Sequence, residues 1–355
     1  MPVKSISSPI SILFTIFYLL HVGSCWELWG YNVELSVPKR DEVLKFIRNP
    51  YCYKYECCND NWIQFKKRKL ENNFSTHVFG QPLLNAAVDA LSSHFNKYFQ
   101  SSKALTMSFH GMTGTGKNYV TRFIADSIFT NGMKSKYVHH FFGRLHFSET
   151  SLLKQYQTDL YSWIKGNISE CPTQLFIFDE VDKMIPNVLD YITPIIDYLE
   201  DVEGVDYSKA VFIFLSNIGA DIITEHFHDL YVQEGKNRED LTLSDFEYFI
   251  QKGAFNENGG LFHGKTISNN LIDHYIPFLP LEKKHIQLCI EKEFQIRKVL
   301  HPHENHINEV MKIIEWGPDS SKLFSKTGCK RLGPKVAILV DRHYRHVSFS
   351  EKDEL

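Results

Sequence analysis

Residues Leu105–Val120 read LTMSFHGMTGTGKNYV and combine an apolar run, a glycine-rich loop and the start of a helical pattern. The run Leu105–Phe109 predicts a buried strand, and the residues from Lys117 to Ile128 predict a helix. Between them lies the phosphate-binding loop pattern G-x(4)-G-K. In this pattern the glycines let backbone N–H groups converge on phosphate oxygens, the helix N-terminus adds its dipole, and the lysine reaches the outer phosphates.

The loop therefore predicts a nucleotide phosphate site built by Gly111, Met112, Thr113, Gly114, Thr115, Gly116, Lys117 and Asn118. One position departs from the pattern, because Asn118 stands where a Ser or Thr hydroxyl normally binds magnesium. An amide oxygen can also coordinate a cation, although it is a different and weaker ligand than a hydroxyl. We therefore expect Asn118 to serve both the phosphates and the metal.

A second pattern is the carboxylate pair Asp179-Glu180, which directly follows the apolar run Leu175–Phe178. A continuous apolar run is typical of a strand that is buried on both faces in a parallel sheet, and ligands bind at the carboxyl ends of such strands. Asp179 would hold the magnesium ion, directly or through water, and Glu180 would polarise the attacking water. The alternative interpretation is an acidic cap at the end of a strand.

A third apolar run, Val211–Leu215, ends in Ser216 and Asn217. A polar residue at the tip of a neighbouring strand can touch the same water or γ-phosphate, so Asn217 is a candidate catalytic residue. It could otherwise form a turn before Gly219. Apolar strands that end in polar groups and alternate with helices predict a doubly wound α/β domain with a parallel sheet.

The C-terminal part of the chain has a different pattern. Residues 220–277 are mixed and polar and predict a loop-rich connection, whereas Leu281–Val299 and Ile307–Trp316 carry apolar residues at near-helical spacing. We expect a smaller helical domain there, with Lys330 in a cationic step that could return to the phosphates. The predicted segments are a signal peptide at 1–24, a cysteine-containing segment at 25–69, a nucleotide-binding domain at 70–277, a helical lid at 278–351 and a retention signal at 352–355.

The two ends of the chain indicate its compartment. Lys4 and the apolar run Ile10–Leu20 are typical of a signal peptide, cleaved near Ser24 or Cys25. The last four residues, KDEL, are the address for retention in the endoplasmic reticulum. We expect the mature protein in the lumen of the reticulum. Its formal net charge of -3 provides no basic excess for a nucleic-acid partner.

The cysteines and two short tripeptides fit this compartment. Of seven cysteines, six remain after signal cleavage, and six cysteines allow fifteen pairings among which the sequence does not choose. Asn73-Phe-Ser and Asn167-Ile-Ser are acceptor patterns for N-linked glycan, which predicts modification at Asn73 and Asn167.

The motifs GMTGTGKN at 111–118, IFDEVDKM at 177–184, FIFLSN at 212–217, FLPLE at 278–282 and GCK at 328–330 resemble those of the torsins. Torsins are AAA+ ATPases of the reticulum lumen and perinuclear space, and the resemblance covers about residues 70–332. It implies that residues 111–118 bind ATP and that Asp179 and Glu180 serve magnesium and hydrolysis. It also makes Asn217 the first sensor and Lys330 the second.

The resemblance has further implications for cysteines and partners. Cys289 and Cys329 match a pair that makes the nucleotide response redox-sensitive, and Cys171 is expected to pair with one of the N-terminal cysteines. Torsins lack an arginine finger, which agrees with the absence of Arg from 218–231; Arg238 is the nearest candidate in this chain. A membrane-anchored lumenal activator would supply the missing Arg. Self-association into a ring or filament is also implied.

Three functions follow from these observations. The first is a slow, partner-activated ATPase that remodels protein or membrane assemblies in a chaperone-like manner. The second is a nucleotide-gated binding switch with little hydrolysis. The third is an autonomous unfoldase of the Clp type, which would need an aromatic pore loop, for which Phe147 is the sole candidate within 143–151. A GTPase is disfavoured because the sequence contains no N-K-x-D motif for reading the base.

Overall fold

Five parallel strands form the central sheet of the protein, in the order β2-β3-β4-β1-β5. The strands are β1 Leu105–Gly111, β2 Val138–Phe142, β3 Leu175–Asp179, β4 Val211–Ser216 and β5 His274–Phe278. Every residue of β1, β3 and β4 is buried, which explains why these strands are continuous apolar runs rather than alternating ones. The expected parallel α/β architecture is confirmed.

The computed structural model describes residues 50–98, 101–198, 202–257, 259–268 and 270–344. The expected signal peptide and retention signal lie outside these residues. The chain divides into two compact units, Met1–Tyr55 and Glu56–Leu355. Helix α1, Pro50–Lys54, belongs to the first unit, and everything described below belongs to the second. None of the helices in the described ranges combines the length and apolar composition needed to cross a bilayer.

The helices of the second unit pack on both faces of the sheet and form the lid. They are α2 Lys67–His77, α3 Asn85–His94, α4 Lys117–Ile128, α5 Gly143–His146, α6 Leu153–Glu170, α7 Thr193–Ile196, α8 Ala220–Val232, α9 Glu247–Asn256, α10 Lys265–Ser268, α11 Lys283–Ile296, α12 Glu304–Met311 and α13 Leu332–His343. The predicted helix from Lys117 to Ile128 has these bounds in the structure.

The expected loop-rich connection at 220–277 is wrong. This segment contains α8, α9, α10 and the fifth strand, β5. The strand is short and ends in Pro277-Phe278, and a proline within a run argues against a central strand. In the structure β5 pairs on one side only, with β1, so that Pro277 lies in an outermost strand of the described sheet. Pairing with β1 places Phe278 opposite Gly111, at the start of the phosphate loop.

The second unit begins at Glu56, before the boundary expected at residue 70. Three connections explain the difference. Ile63 forms a β-bridge with Phe129, and the backbone N–H of Lys66 donates to the Ser127 carbonyl over 2.8 Å. Cys58 is disulfide-bonded to Cys171, which confirms the expected pairing of Cys171 with an N-terminal cysteine.

The lid contains α11, α12, α13 and the short antiparallel pair β6 Trp316–Gly317 and β7 Phe324–Ser325. Its core is separate from that of the sheet and begins at Leu281, just beyond the end of β5. Residue 278, where the lid was expected to begin, is the last residue of β5. The disulfide Cys289–Cys329 joins α11 to the segment before α13.

Candidate functional site

A cleft of about 610 Å³ lies between the carboxyl ends of the strands and the lid. It is lined by the phosphate loop from Thr113 to Asn118, by Asp179, Glu180 and Asn217 of the sheet, and by Cys289, Cys329 and Lys330 of the lid. The structure thus brings the separated sequence motifs to one place. The rest of the lining comes from residues on both the sheet domain and the lid: His77, Val78, Phe79, Tyr119, Arg122, Leu215, Ser216, Leu281, Lys292, Glu293 and Ile296.

Lys117 is buried at the base of this cleft. Its Nζ donates to the carbonyl oxygens of Gly111 and Met112 over 2.6 and 3.0 Å. Burial lowers the pKa of Lys117 to about 8, although the carboxylates of Asp182 and Asp179 oppose this shift. Phosphate oxygens would have to replace the two carbonyls as acceptors, and their charge would favour the ammonium form.

Asn118 and Asp179 contact each other directly. The Asn118 amide nitrogen donates to Asp179 Oδ2 over 2.7 Å, and the Glu180 N–H donates to Asp179 Oδ1 over 2.8 Å. Burial raises the pKa of Asp179, but the His140 imidazole, the Asn118 amide and the Glu180 N–H outweigh it and bring the pKa below its usual value. These donors therefore favour the carboxylate form of Asp179, at the position where the sequence predicts a magnesium ligand.

Glu180 adopts a left-handed backbone conformation with a φ of 55°. Its side chain is 38% exposed, and Arg144 Nε lies 3.7 Å from its Oε2. Helix α5 packs against this residue so closely that a Cβ at Gly143, its first residue, would lie 2.2 Å from the Glu180 carbonyl oxygen. The side chain of Glu180 lines the cleft and is accessible from it.

Asn217 faces Lys117 rather than forming only a turn. Its Oδ1 accepts a hydrogen bond from Lys117 Nζ over 3.1 Å, and its backbone N–H donates to Asp182 Oδ1 over 3.1 Å. Asp182 was present in the sequence motif without an assigned role. The structure shows that it fixes the end of β4 and opposes the lowering of the Lys117 pKa.

The lid reaches the phosphate loop through two glycines. A Cβ at Gly328 would lie 2.3 Å from the Gly114 carbonyl oxygen, and a Cβ at Gly114 would lie 2.1 Å from the Thr327 carbonyl oxygen. Both glycines also have positive φ, of 53° and 79°. These contacts place the first carbon of the Lys330 side chain 3.2 Å from the Cβ position of Gly114, so Lys330 lies beside the phosphate loop. Its contact with the phosphates stays a prediction.

Gln81 contacts the phosphate loop from outside the cleft, and no sequence pattern predicts this contact. Its side chain is buried and donates to the carbonyl oxygens of Thr115, over 3.2 Å, and Leu279, over 2.9 Å. It also accepts a hydrogen bond from the Leu279 N–H over 2.9 Å. Gln81 thereby ties the phosphate loop to the end of β5. Its two partners lie 34 and 198 residues away, so no local pattern marks it.

Two residues that the sequence suggested for functional roles, Arg238 and Phe147, are buried in the structure. Arg238 is 2% exposed, is bonded to Glu282 and to the carbonyls of Gly80 and Pro280, and lies over the Phe227 ring. It is therefore held in the interior and does not project as an arginine finger would. Phe147 is 4% exposed and packs against Tyr156, so it does not offer the exposed aromatic side chain of a pore loop.

Both predicted glycan acceptors lie within helices. Asn73 is in α2 and is half-buried. Asn167 is in α6, where its amide nitrogen donates to the Trp163 carbonyl oxygen over 2.8 Å. Neither side chain is on a loop, so attachment of glycan at these positions stays a prediction.

Solved structures with a similar fold include two of Hsp104. The Hsp104–ADP complex of S. cerevisiae matches with a TM-score of 0.52 and 18% identity, covering 78% of this chain and 46% of that one. A closed state of Hsp104 with ATPγS and FITC-casein matches with a TM-score of 0.51 and 17% identity, covering 79% and 46%. This chain thus spans about half the length of those chains. At such identity the likeness concerns the fold, which is the AAA+ α/β fold.

Sequence comparison identifies nearer relatives. The Torsin family profile matches residues 52–178, and the profile described as Torsin-1A, C-terminal domain matches residues 281–338. A torsin-like protein of Caenorhabditis elegans is 37% identical over 290 residues, covering 81% of each chain. A torsin-like protein of Drosophila melanogaster is 39% identical over 303 residues, covering 83% of this chain and 88% of the relative. The chain is therefore a member of the torsin family of AAA+ proteins.

Proposed function

We propose that this torsin is an ATPase of the endoplasmic reticulum lumen and perinuclear space that hydrolyses ATP slowly on its own. The observation that carries the proposal is the hydrogen bond from Asn118 to Asp179, with Lys117 bonded to Asn217 on the neighbouring strand. It brings the phosphate loop, the carboxylate pair and the first sensor together in one cleft. Such a set of groups can bind a nucleotide, hold its metal and activate a water molecule.

Each residue has a distinct role in this proposal. Lys117 reaches the outer phosphates, while Asn118 and Asp179 would hold magnesium through oxygen atoms. Bound magnesium would neutralise charge on the β- and γ-phosphates. Glu180 accepts the proton of the attacking water, and Asn217 helps to orient that water. Lys330 brings a positive charge from the lid to the phosphates.

The proposed slow basal rate follows from the lack of an arginine that could serve as a finger in 218–231 or at Arg238. Arg238 is fixed in the interior, and the segment 218–231 contains no Arg. Arg144 is 70% exposed and faces the Glu180 carboxylate. An arginine finger is worth on the order of 10³ to 10⁵ in rate. We therefore expect a membrane-anchored lumenal activator to supply one in trans. We also expect the chain to self-associate into a ring or filament.

The compartment and the biological role belong to the same proposal. The disulfides Cys58–Cys171 and Cys289–Cys329 fit an oxidising compartment, and the KDEL terminus is the address for retention in the reticulum. ATP hydrolysis there would drive the remodelling of protein or membrane assemblies. The autonomous unfoldase is less favoured because Phe147, its candidate pore-loop residue, is buried.

The decisive experiment is ATP turnover by the purified chain, with and without a lumenal activator domain that carries a candidate Arg. A low basal rate that rises sharply with the domain supports the proposal, and an Arg→Ala variant of the domain should remove the stimulation. Rapid turnover without a partner would contradict it. Loss of basal turnover in Arg144→Ala would instead place the activating arginine in this chain.

The Glu180→Gln variant separates the enzyme from the nucleotide-gated switch. An ATPase loses hydrolysis but still binds ATP and traps its partner, because the carboxamide cannot accept a proton from water. A switch that depends on binding alone behaves like the parent. ATP-dependent docking that is unchanged by the substitution, together with a flat turnover rate, would favour the switch.

A further inference from the structure

His140, on β2, lies beside the carboxylate that we assign to magnesium. Strand β2 runs parallel to β3 in a register that places His140 opposite Ile177 and Phe142 opposite Asp179. In this register His140 Nε2 approaches Asp179 Oδ2 to 3.6 Å. His140 belongs to none of the sequence motifs of the site.

The approaching nitrogen of His140 is enclosed although the ring is 25% exposed. His140 Nε2 is buried and has no hydrogen-bond partner among the described residues. The ring of Phe142 packs at 4.2 Å between ring centroids, which limits the orientation of the imidazole. A buried polar nitrogen without a partner is unfavourable, so a short movement that closes the distance to the carboxylate lowers the free energy.

Two other donors already restrain the same carboxylate. Asn118 donates to Oδ2 and the Glu180 N–H donates to Oδ1. His140 approaches Oδ2 from β2 and so offers a donor from a third element of the fold. Groups that bond a ligating carboxylate fix its orientation and strengthen metal binding.

We propose that His140 is a positioning residue for Asp179, its Nε2–H holding Oδ2 in the orientation that binds magnesium. The inference rests on the proposed function, because it assigns Asp179 to the metal. The separation of 3.6 Å is longer than a hydrogen bond. Contacts at catalytic sites commonly tighten when the ligand is present, and metal binding is the event expected to draw the carboxylate and the imidazole together.

The test measures metal binding rather than turnover. In a Glu180→Gln background, which keeps ATP intact, Mn²⁺ binding to the ATP complex is followed by electron paramagnetic resonance. His140→Leu removes the donor and should weaken Mn²⁺ binding by about tenfold, the lower end of the effects seen for such residues. His140→Gln keeps a donor and should remain close to the parent. ATP affinity in EDTA should be the same in all variants.

His146→Leu is the matched control, because it also removes an imidazole near the end of β2. His146 accepts a hydrogen bond from the Phe142 N–H and lies outside the cleft lining. Its Mn²⁺ affinity should equal that of the parent. His140→Met replaces His140→Leu if the latter does not fold, and the same weakening is expected.

The outcomes separate this inference from the proposed function. Equal Mn²⁺ affinity in the parent and in His140→Leu or His140→Met, with ATP still bound, would overturn the role of His140 alone. A parent that binds ATP but no Mn²⁺ would overturn the metal assignment and this inference with it. Equal weakening in His140→Leu and His140→Gln would also overturn the inference, since the donor would then not be what matters.

Discussion

The backbone N–H of Cys329 donates to the carbonyl oxygen of Gly114 over 3.0 Å. This hydrogen bond joins the lid to the phosphate loop without using a side chain. The side chain of Cys329 is at the same time bonded to Cys289 of α11. A cysteine of the lid disulfide therefore contacts the loop that is expected to bind the phosphates. We expect the redox state of this disulfide to affect nucleotide binding.

Reduction of the lid disulfide should weaken ATP binding. Without the disulfide, Cys329 is free to move away from α11. Nucleotide binding must then also order Cys329 against Gly114, and the conformational entropy lost in doing so reduces the binding free energy. We expect a loss of about fivefold in ATP affinity, the lower end of typical coupling between sites. Titration with a fluorescent ATP analogue, before and after reductant, measures it.

The control for this experiment is Cys289→Ser, which retains Cys58–Cys171. Its affinity should match that of the reduced parent and should not respond to reductant. Equal ATP affinities in oxidised and reduced protein, with the lid disulfide confirmed in the former, would show that the bridge merely adds stability.

Gly328→Ala should disrupt nucleotide binding. The new Cβ would lie 2.3 Å from the Gly114 carbonyl oxygen, which is backbone and cannot move without moving the phosphate loop. The matched control is Gly235→Ala, because Gly235 also has a positive φ, of 66°, but has nothing within 4 Å of its Cβ position. Both variants carry a backbone cost of about 1–2 kcal/mol, so only the steric conflict differs.

We therefore expect Gly328→Ala to weaken ATP binding by at least about tenfold, since one factor of ten corresponds to about 1.4 kcal/mol. Isothermal titration at a temperature where both variants are folded provides the comparison. If Gly328→Ala and Gly235→Ala bind ATP equally well, the lid does not press on the phosphate loop as the structure indicates.

The parts of the site that were predictable are those encoded locally. The phosphate loop and its helix lie in one continuous stretch, and Asp179 and Asn217 stand at the ends of apolar runs, so local patterns were enough to select them. Gln81 and His140 carry no such signal, because each contacts the site through the packing of distant elements. Strand β5 was missed because its proline is compatible with a strand only where one side is unpaired.

Arg238→Ala should lower the stability of the folded protein and leave the catalytic rate unchanged. Arg238 and Glu282 are 2% and 18% exposed in their side chains, and removing Arg takes the guanidinium away from Glu282 Oε1, while the exposed Lys284 stays 3.5 Å from Oε2. Breaking a buried pair in this way costs about 3 kcal/mol or more. Urea unfolding measures the loss, and Arg342→Ala, on the exposed side of α13, should cost little.

The same variant tests whether Arg238 has a catalytic role. Folded Arg238→Ala protein, measured well below its unfolding midpoint, should keep the basal turnover of the parent and its stimulation by the activator. Normal stability combined with lost turnover would instead identify Arg238 as the arginine finger.

His110 should make the nucleotide-free protein less stable in acid. It is fully buried in β1, between Ser108 Oγ at 2.7 Å and the Ile218 carbonyl oxygen at 3.1 Å. Burial lowers the pKa of His110 to about 4, from 6.5 for the unfolded chain. Below pH 6.5 the unfolded chain binds a proton that the folded protein does not bind. Stability is therefore complete above pH 6.5 and falls as the pH drops toward 4, by up to about 1.4 kcal/mol per pH unit for this one proton.

The prediction is tested by comparing the parent with His110→Asn, because carboxylates and other histidines contribute equally to both proteins. Urea unfolding at pH 7, 6 and 5 gives the free energy of unfolding of each. His110→Asn will be less stable at pH 7, since a buried side chain has been shortened, but its stability should decline less steeply between pH 6 and 5. Curves that run parallel over this range would mean that His110 takes up its proton equally in the folded and unfolded states, and so is not held neutral by its burial in β1.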